Sequence, residues 1–274
     1  MKLAWLGVAA TIGFAPSSAL AQADAWSGFY AGANIGYGWH GEDAHFASND
    51  EASNVFLDPR SPMQPTPLVP PHVSASGVFG GVQFGYNHRN LAHWILGLEA
   101  DWNIADLNGS GASQFATTAP IFGSFQRTFT ASVTEKVQWF GTLRARAGYL
   151  INEQLLIYGS GGFAYGQVKQ SAVLSSDLGL GLGSADYGFL CPSGGACFVG
   201  SRSSLKTGWT VGAGFERVLF ANTTLKAEYN FINLGKSSYT MVALDRFVSP
   251  QPASFTISQA HKYHTVRVGL NWHF

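Results

Sequence analysis

The sequence predicts an all-β chain: an eight-stranded antiparallel up-and-down transmembrane β-barrel with long extracellular loops. Three observations predict it. Apolar and polar side chains alternate with period two in eight segments, short and long gaps alternate between those segments, and charge is scarce. Charged residues make up 12% of the 274 residues, about half of the ~25% usual for soluble domains. Glycine (33) and aromatics (8 Trp, 10 Tyr, 20 Phe) are plentiful, and the formal net charge is zero. A soluble surface needs charge, whereas a barrel wall in lipid excludes it. The neutral balance leaves no basic footprint for nucleic acid.

The elements follow in chain order. Lys2 precedes the apolar run 3–15, then Pro16-Ser17-Ser18 and Ala19-Leu20-Ala21. A positive residue, a short apolar core and an Ala-x-Ala site predict a secretory signal peptide over residues 1–21, with the barrel over 22–274. The run is shorter than the ~18 residues of a spanning helix. The eight alternating segments are Phe29–Trp39, Gly77–Asn87, Trp94–Ile104, Lys136–Tyr149, Leu155–Val168, Thr207–Arg217, Leu225–Gly235 and Tyr263–Phe274. Each reaches the ~9–11 residues that a tilted strand needs to cross a bilayer. The gaps after Asn87, Tyr149 and Arg217 are short, while 40–76, 105–135, 169–206 and 236–262 are long. Short turns on one side and long loops on the other is the layout of an outer-membrane barrel.

The two faces can be read off most segments. In the third, Trp94, Leu96, Leu98, Ala100, Trp102 and Ile104 oppose Gly97, Glu99, Asp101 and Asn103. In the fourth, Val137, Trp139, Leu143, Ala145, Ala147 and Tyr149 oppose Lys136, Gln138, Thr142, Arg144 and Arg146, with Phe140 a misfit on the polar side. The seventh and eighth set Lys226, Glu228, Arg267, Asn271 and His273 against apolar neighbours. The fifth does not resolve into faces. A soluble barrel would give the same alternation inside out, so the aromatics decide. Trp39, Trp102, Trp139 and Trp209 fall near one set of strand ends, and Tyr30, Trp94, Tyr149, Trp272 and Phe274 near the other. Two aromatic belts are expected where rings meet the two membrane interfaces.

The terminal strand, Val266 to Phe274, ends on an aromatic after Trp272. It resembles the signal by which the barrel-assembly machinery recognises bacterial outer-membrane barrels. Four further stretches carry a wider likeness: residues 26–38 (WSGFYAGANIGYG), 80–87 (GGVQFGYN), 139–149 (WFGTLRARAGY) and Lys226-Ala227-Glu228-Tyr229. With them the chain resembles the OmpA-like eight-stranded outer-membrane β-barrels, in particular their small porin-like surface proteins. The resemblance spans the strands from Trp26 to Phe274 and implies a bacterial outer-membrane location with outer-membrane lipid around the wall. It offers no catalytic motif.

On the inward face the acids are Glu99, Asp101, Glu216 and Glu228, and the bases Lys136, Arg144, Arg146, Lys226 and Arg267. An eight-stranded barrel is just wide enough for side chains to fill, so an ion-pair network that plugs the lumen is expected. A narrow polar path for small solutes is the alternative. Glu99 and Asp101 could form a catalytic carboxylate pair, but bases on the next strand make ion pairing the better reading. Gly36-x-Gly38-x-x-Gly41 leads into a loop with no helix to receive a phosphate. The eight histidines are scattered, with His261 and His264 on opposite faces, so no metal and no cofactor is expected. No Gly-x-Ser-x-Gly elbow occurs, and an acyl hydrolase would require a Ser beside a His on the wall. Cys191 and Cys197, close together in an exported chain, predict a disulfide over a redox or metal pair. The loops, the first with six prolines between Pro59 and Pro71, are where host or surface ligands would bind.

Overall fold

The computed structural model describes residues 26–50, 53, 69–90, 93–119, 125–176, 195–244 and 254–274. The expected signal peptide, residues 1–21, and Cys191 lie outside them. Strands β1 (Gly28–Asp43), β2 (His45–Ser48), β3 (His72–Asn90), β4 (Trp94–Ala119), β5 (Phe125–Asn152), β6 (Leu155–Ser176), β7 (Ala196–Phe220), β8 (Thr223–Ala243) and β9 (Ser254–His273) form one antiparallel sheet. The eight long strands each pair with the next, and β1 pairs with β9 from Tyr30↔His273 to Trp39↔His264 to close the ring. The short β2 carries the β1 edge on along β9, from His45↔Ser258 to Ser48↔Phe255. Closure leaves none of the eight long strands as an open edge, which a sheet in lipid cannot tolerate.

The strands run further than expected. Much of 105–135 is hairpin, paired from Leu107↔Val137 out to Ala119↔Phe125. Parts of 169–206 and 236–262 are likewise strand. The alternation never stops there; its sense inverts. Below the turnover, Ile35, Val82, Leu98, Leu143, Val211, Val268 and Leu270 are exposed on the outside. Beyond it the outside carries Asn108, Ser110, Thr134, Lys169, Ser203, Ser238 and Thr256. There the inside is a buried apolar cluster including Val73, Phe115, Phe129, Val133, Phe198, Met241, Phe255 and Ile257. Apolar outside and polar inside is the rule in lipid; apolar inside and polar outside is the rule in water. The barrel therefore stands out of the bilayer as a water-type barrel on the same strands.

Aromatics mark the turnover. Trp39 stacks on His264 with ring centroids 5.7 Å apart, Trp139 meets Tyr165 at 6.1 Å and Trp209 meets Phe231 at 5.5 Å. At the opposite end Phe29 meets Tyr86 at 4.8 Å and Trp94 meets Tyr149 at 5.4 Å, with Trp272 and Phe274 also exposed on the wall. Tyr30 does not belong to this belt: it points inward and is buried. Its neighbour Phe29 takes the outward position because the alternation on β1 puts even-numbered residues inside.

Two irregularities set which residues reach the lumen. On β5 the register slips at Ile104/Leu107 against β4 and at Val137/Trp139 against β6. Odd residues point inward up to Val137, and even residues from Phe140 onward. Phe140 is thus a buried lumen residue, packed with Phe79, Leu107, Val137, Val168, Ile232, Leu234 and Tyr263. On β8 the slip at Asn233/Lys236 contains Gly235, whose φ of +77° suits a glycine bulge. β6, unreadable in the sequence, has Leu156, Tyr158, Ala164, Val168 and Gln170 buried inside. Up to Val168 its inward side chains are apolar or small, so no polar face announced itself.

Candidate functional site: the barrel interior

The membrane-spanning lumen holds a charged layer built from eight residues on five strands. β4 supplies Glu99 and Asp101, β5 supplies Arg144 and Arg146, β7 Glu216, β8 Lys226 and Glu228, and β9 Arg267. Register places opposite charges side by side: Glu99↔Arg144, Glu216↔Lys226 and Glu228↔Arg267. Arg144 donates to Glu228 Oε1 at 2.6 Å, to Asp101 Oδ2 at 3.2 Å and to Glu99. Arg146 donates to Glu216 Oε2 at 2.7 Å and lies 4.1 Å over the Tyr158 ring. Lys226 Nζ is 2.8 Å from both oxygens of Glu99, and Arg267 donates to Glu228 at 2.7 Å. Tyr30 adds a hydroxyl donated to Glu99 at 2.6 Å. All eight ionic groups are buried. Each carboxylate is held by at least one cation, so Glu99 and Asp101 are not arranged as an acid and a base.

Lys136 is not part of this layer. It is 46% exposed on the outer wall and pairs with Asp106 at 3.0 Å. The phase change on β5 is the reason: one face assignment for 136–149 spans the slip, and the residue before it points the other way.

A second polar node lies above the aromatic turnover, between two apolar layers, and sequence reasoning missed it. Glu135 (β5) receives Gln259 Nε2 at 2.9 Å and the Tyr263 hydroxyl. His40 Nε2 stands 3.2 Å from Oε1, and His261 Nδ1 stands 3.2 Å from Oε2. Gln170 Nε2 donates to Gln259 Oε1 at 3.0 Å, and Ser237 donates to Gln170 Oε1 at 2.5 Å. Ser237 Oγ is 2.8 Å from His261 Nε2. Burial opposes the charge on Glu135, but the two imidazoles outweigh it and hold its pKa at about 2, below the ordinary 4.5. Continuing the odd phase from Val133 through Glu135 to Val137 would have exposed this residue in the sequence.

Ser237, His261 and Glu135 have the order of a nucleophile, a base and an orienting acid. The polarity of the hydrogen bonds runs the other way. An ionised carboxylate only accepts, so Gln259 must present its amide nitrogen to Glu135 and its oxygen to Gln170. Gln170 must then offer its oxygen to Ser237, which spends the hydroxyl proton. His261 Nε2 is left to donate to Ser237 rather than to take its proton. With that polarity the contact closes a hydrogen-bonded ring of Glu135, Gln259, Gln170, Ser237 and His261.

The remaining expected sites are easily placed. Cys197 is buried in the outer apolar cluster. Trp272 lies beside Ala31 across the closing seam, and the backbone of Phe274 donates to Phe29 O at 2.9 Å. Among the described residues no group of three or more His, Cys, Asp or Glu is arranged to hold a metal ion.

A closed ring of strands, an outer wall apolar between two aromatic belts and a charged interior define an outer-membrane β-barrel. The chain belongs to the family described as outer membrane protein beta-barrel domain, matching over residues 7–274. It is 35% identical to the 31 kDa outer-membrane immunogenic protein of Brucella melitensis, over 95% of this chain and 88% of that one. It is 24% identical to the 25 kDa outer-membrane immunogenic protein of Brucella abortus, over 78% and 86%. The solved structure of OprG from Pseudomonas aeruginosa covers 90% of this chain and 97% of its own at 13% identity, with a TM-score of 0.40.

Proposed function

We propose that this outer-membrane protein is a filled, non-conducting barrel whose rigid outer half and loops serve surface interaction. The observation that carries this is the filling of the lumen. An apolar floor with Trp26, Ile95, Leu150 and Leu156 is followed by the charged layer, the Phe79–Phe140 layer, the Glu135 node and the outer apolar cluster. A water path would have to cross three apolar layers, and the charged groups between them are paired with one another. The likeness to proteins named as immunogenic supports a wall that faces outward from the cell. Host or surface ligands would meet the loops, while Trp272 and Phe274 would serve the barrel-assembly machinery. A Cys191–Cys197 disulfide would tie the segment before β7 to the rim. The polarity of the Ser237–His261 contact weighs against hydrolase chemistry.

Single-channel recording in planar bilayers tests the filled lumen. Purified barrel should add no discrete conductance steps over the bare bilayer. Regular steps from wild-type protein would favour the porin-like alternative.

A further inference from the structure

The wall has one long interruption. β7 pairs with β8 at Phe198↔Ala243 and Val199↔Val242, and again from Trp209↔Asn233 downward. Between these points, 200–208 of β7 and 234–241 of β8 share no ladder pairs. Each strand stays zipped to its other neighbour: Lys206↔Gly166 and Arg202↔Gln170 on one side, Lys236↔Ala260 to Val242↔Ser254 on the other. The Gly235 bulge lies within the gap.

Two cations bridge it. Arg202 and Lys206 belong by alternation to the inward series, yet Arg202 is exposed and Lys206 half-buried. Arg202 Nη1 donates to Ser238 O at 2.6 Å and Lys206 Nζ to Lys236 O at 3.2 Å, within the stretch that has no ladder pairs. Guanidinium and ammonium groups carry five and three donors, so most remain free for a ligand. Lys236 and Lys169 are exposed beside the gap, Lys169 opposite Ser203. The flanking stretches 166–175, 196–208 and 234–244 contain no Asp or Glu. Among the described residues none of the four cations has a carboxylate partner, unlike Lys136 with Asp106 and Lys262 with Glu42. Burial, followed by the field of Arg202, pulls the Lys206 ammonium below its usual range. The gap begins one residue beyond Trp209, at the aromatic turnover, where lipid headgroups lie.

We propose that the irregular seam between β7 and β8 is an anion site that takes a phosphate group through Arg202 and Lys206, with Lys236 and Lys169 beside it. A phosphate there would accept the spare donors of both bridging cations and offset their mutual repulsion. The group can come from the headgroup of an outer-leaflet lipid or from free phosphate.

Native mass spectrometry of refolded barrel in detergent tests this, with phosphatidylglycerol, phosphate-free diacylglycerol and inorganic phosphate as probes. Wild type should retain phosphatidylglycerol and not diacylglycerol. The double variant Arg202→Gln/Lys206→Gln should bind it at least tenfold less, the exchange Arg202→Lys/Lys206→Arg should keep it, and Lys136→Gln should not matter. Displacement by inorganic phosphate at millimolar concentration identifies free phosphate as occupant; resistance identifies the lipid. Equal retention by wild type and double variant, or no phosphate-bearing adduct on wild type, overturns the site. Should the double variant fail to show heat-modifiable folding, Lys236→Gln reads the same site: a several-fold loss supports it and unchanged binding refutes it.

Discussion

Arg144 and Lys136 stand eight residues apart on one strand and illustrate what burial does to a charge. Arg144 is enclosed by Glu99, Asp101 and Glu228, whereas Lys136 meets Asp106 in water. Removing one member of a buried network leaves the others uncompensated, at a cost of about 3–5 kcal/mol, while an exposed pair is worth about 0–1 kcal/mol. Arg144→Gln should therefore lower the urea midpoint strongly and Lys136→Gln hardly at all; equal midpoints would refute a buried network. Glu135 makes a pH-dependent prediction. Its folded pKa of about 2 lies below the ordinary 4.5, so its charge stabilises the fold above pH 4.5 and that contribution fades as pH falls toward 2. The stability difference between wild type and Glu135→Gln should be full at pH 7 and shrink through that window. A difference unchanged down to pH 2.5 would show that the carboxylate is not held by its imidazole partners.

At the scale of the strand, the sequence was readable wherever one face was purely apolar and the other purely polar. β4 and β9 met that condition, and Glu99, Asp101 and Arg267 fell on the inward face. β5 did so only after its slip, which is why Arg144 and Arg146 were placed inside and Lys136 was misplaced with them. A bulge adds one residue and exchanges the faces, and nothing in the local composition of 136–140 announces it. The Glu135 node was missed for a related reason: all of its residues but Tyr263 lie on stretches expected to be loops. The seam escaped too, since a missing ladder leaves no trace in either strand's pattern. β9 makes its own prediction. The residue that follows it, Phe274, hydrogen-bonds to β1 where the ring closes, so deleting Phe274 should reduce the folded, heat-modifiable barrel in the outer membrane without impairing export. Unchanged folded yield would detach Phe274 from assembly.

For the whole molecule, the inversion along the strands predicts two solvents on one wall. Leu143 and Thr134 both point outward from β5, one between the aromatic belts and one beyond them. Arginine facing the middle of the hydrocarbon costs about 2–4 kcal/mol and close to nothing outside it. Leu143→Arg should impair folding into vesicles while Thr134→Arg should fold like wild type. Equal impairment would place both residues in the same medium.

The apolar plug under the rim also changes what an approaching molecule meets. Because Phe115, Phe129, Phe198 and Phe255 pack behind Ser, Thr and Gly strands, much of the outward half is stiff sheet rather than free chain. A binder of such a surface need not order it first and avoids the entropic toll that pliant loops exact. Antibodies raised against the folded protein would accordingly read residues brought together from adjacent strands, and boiling would erase their target while leaving every peptide intact.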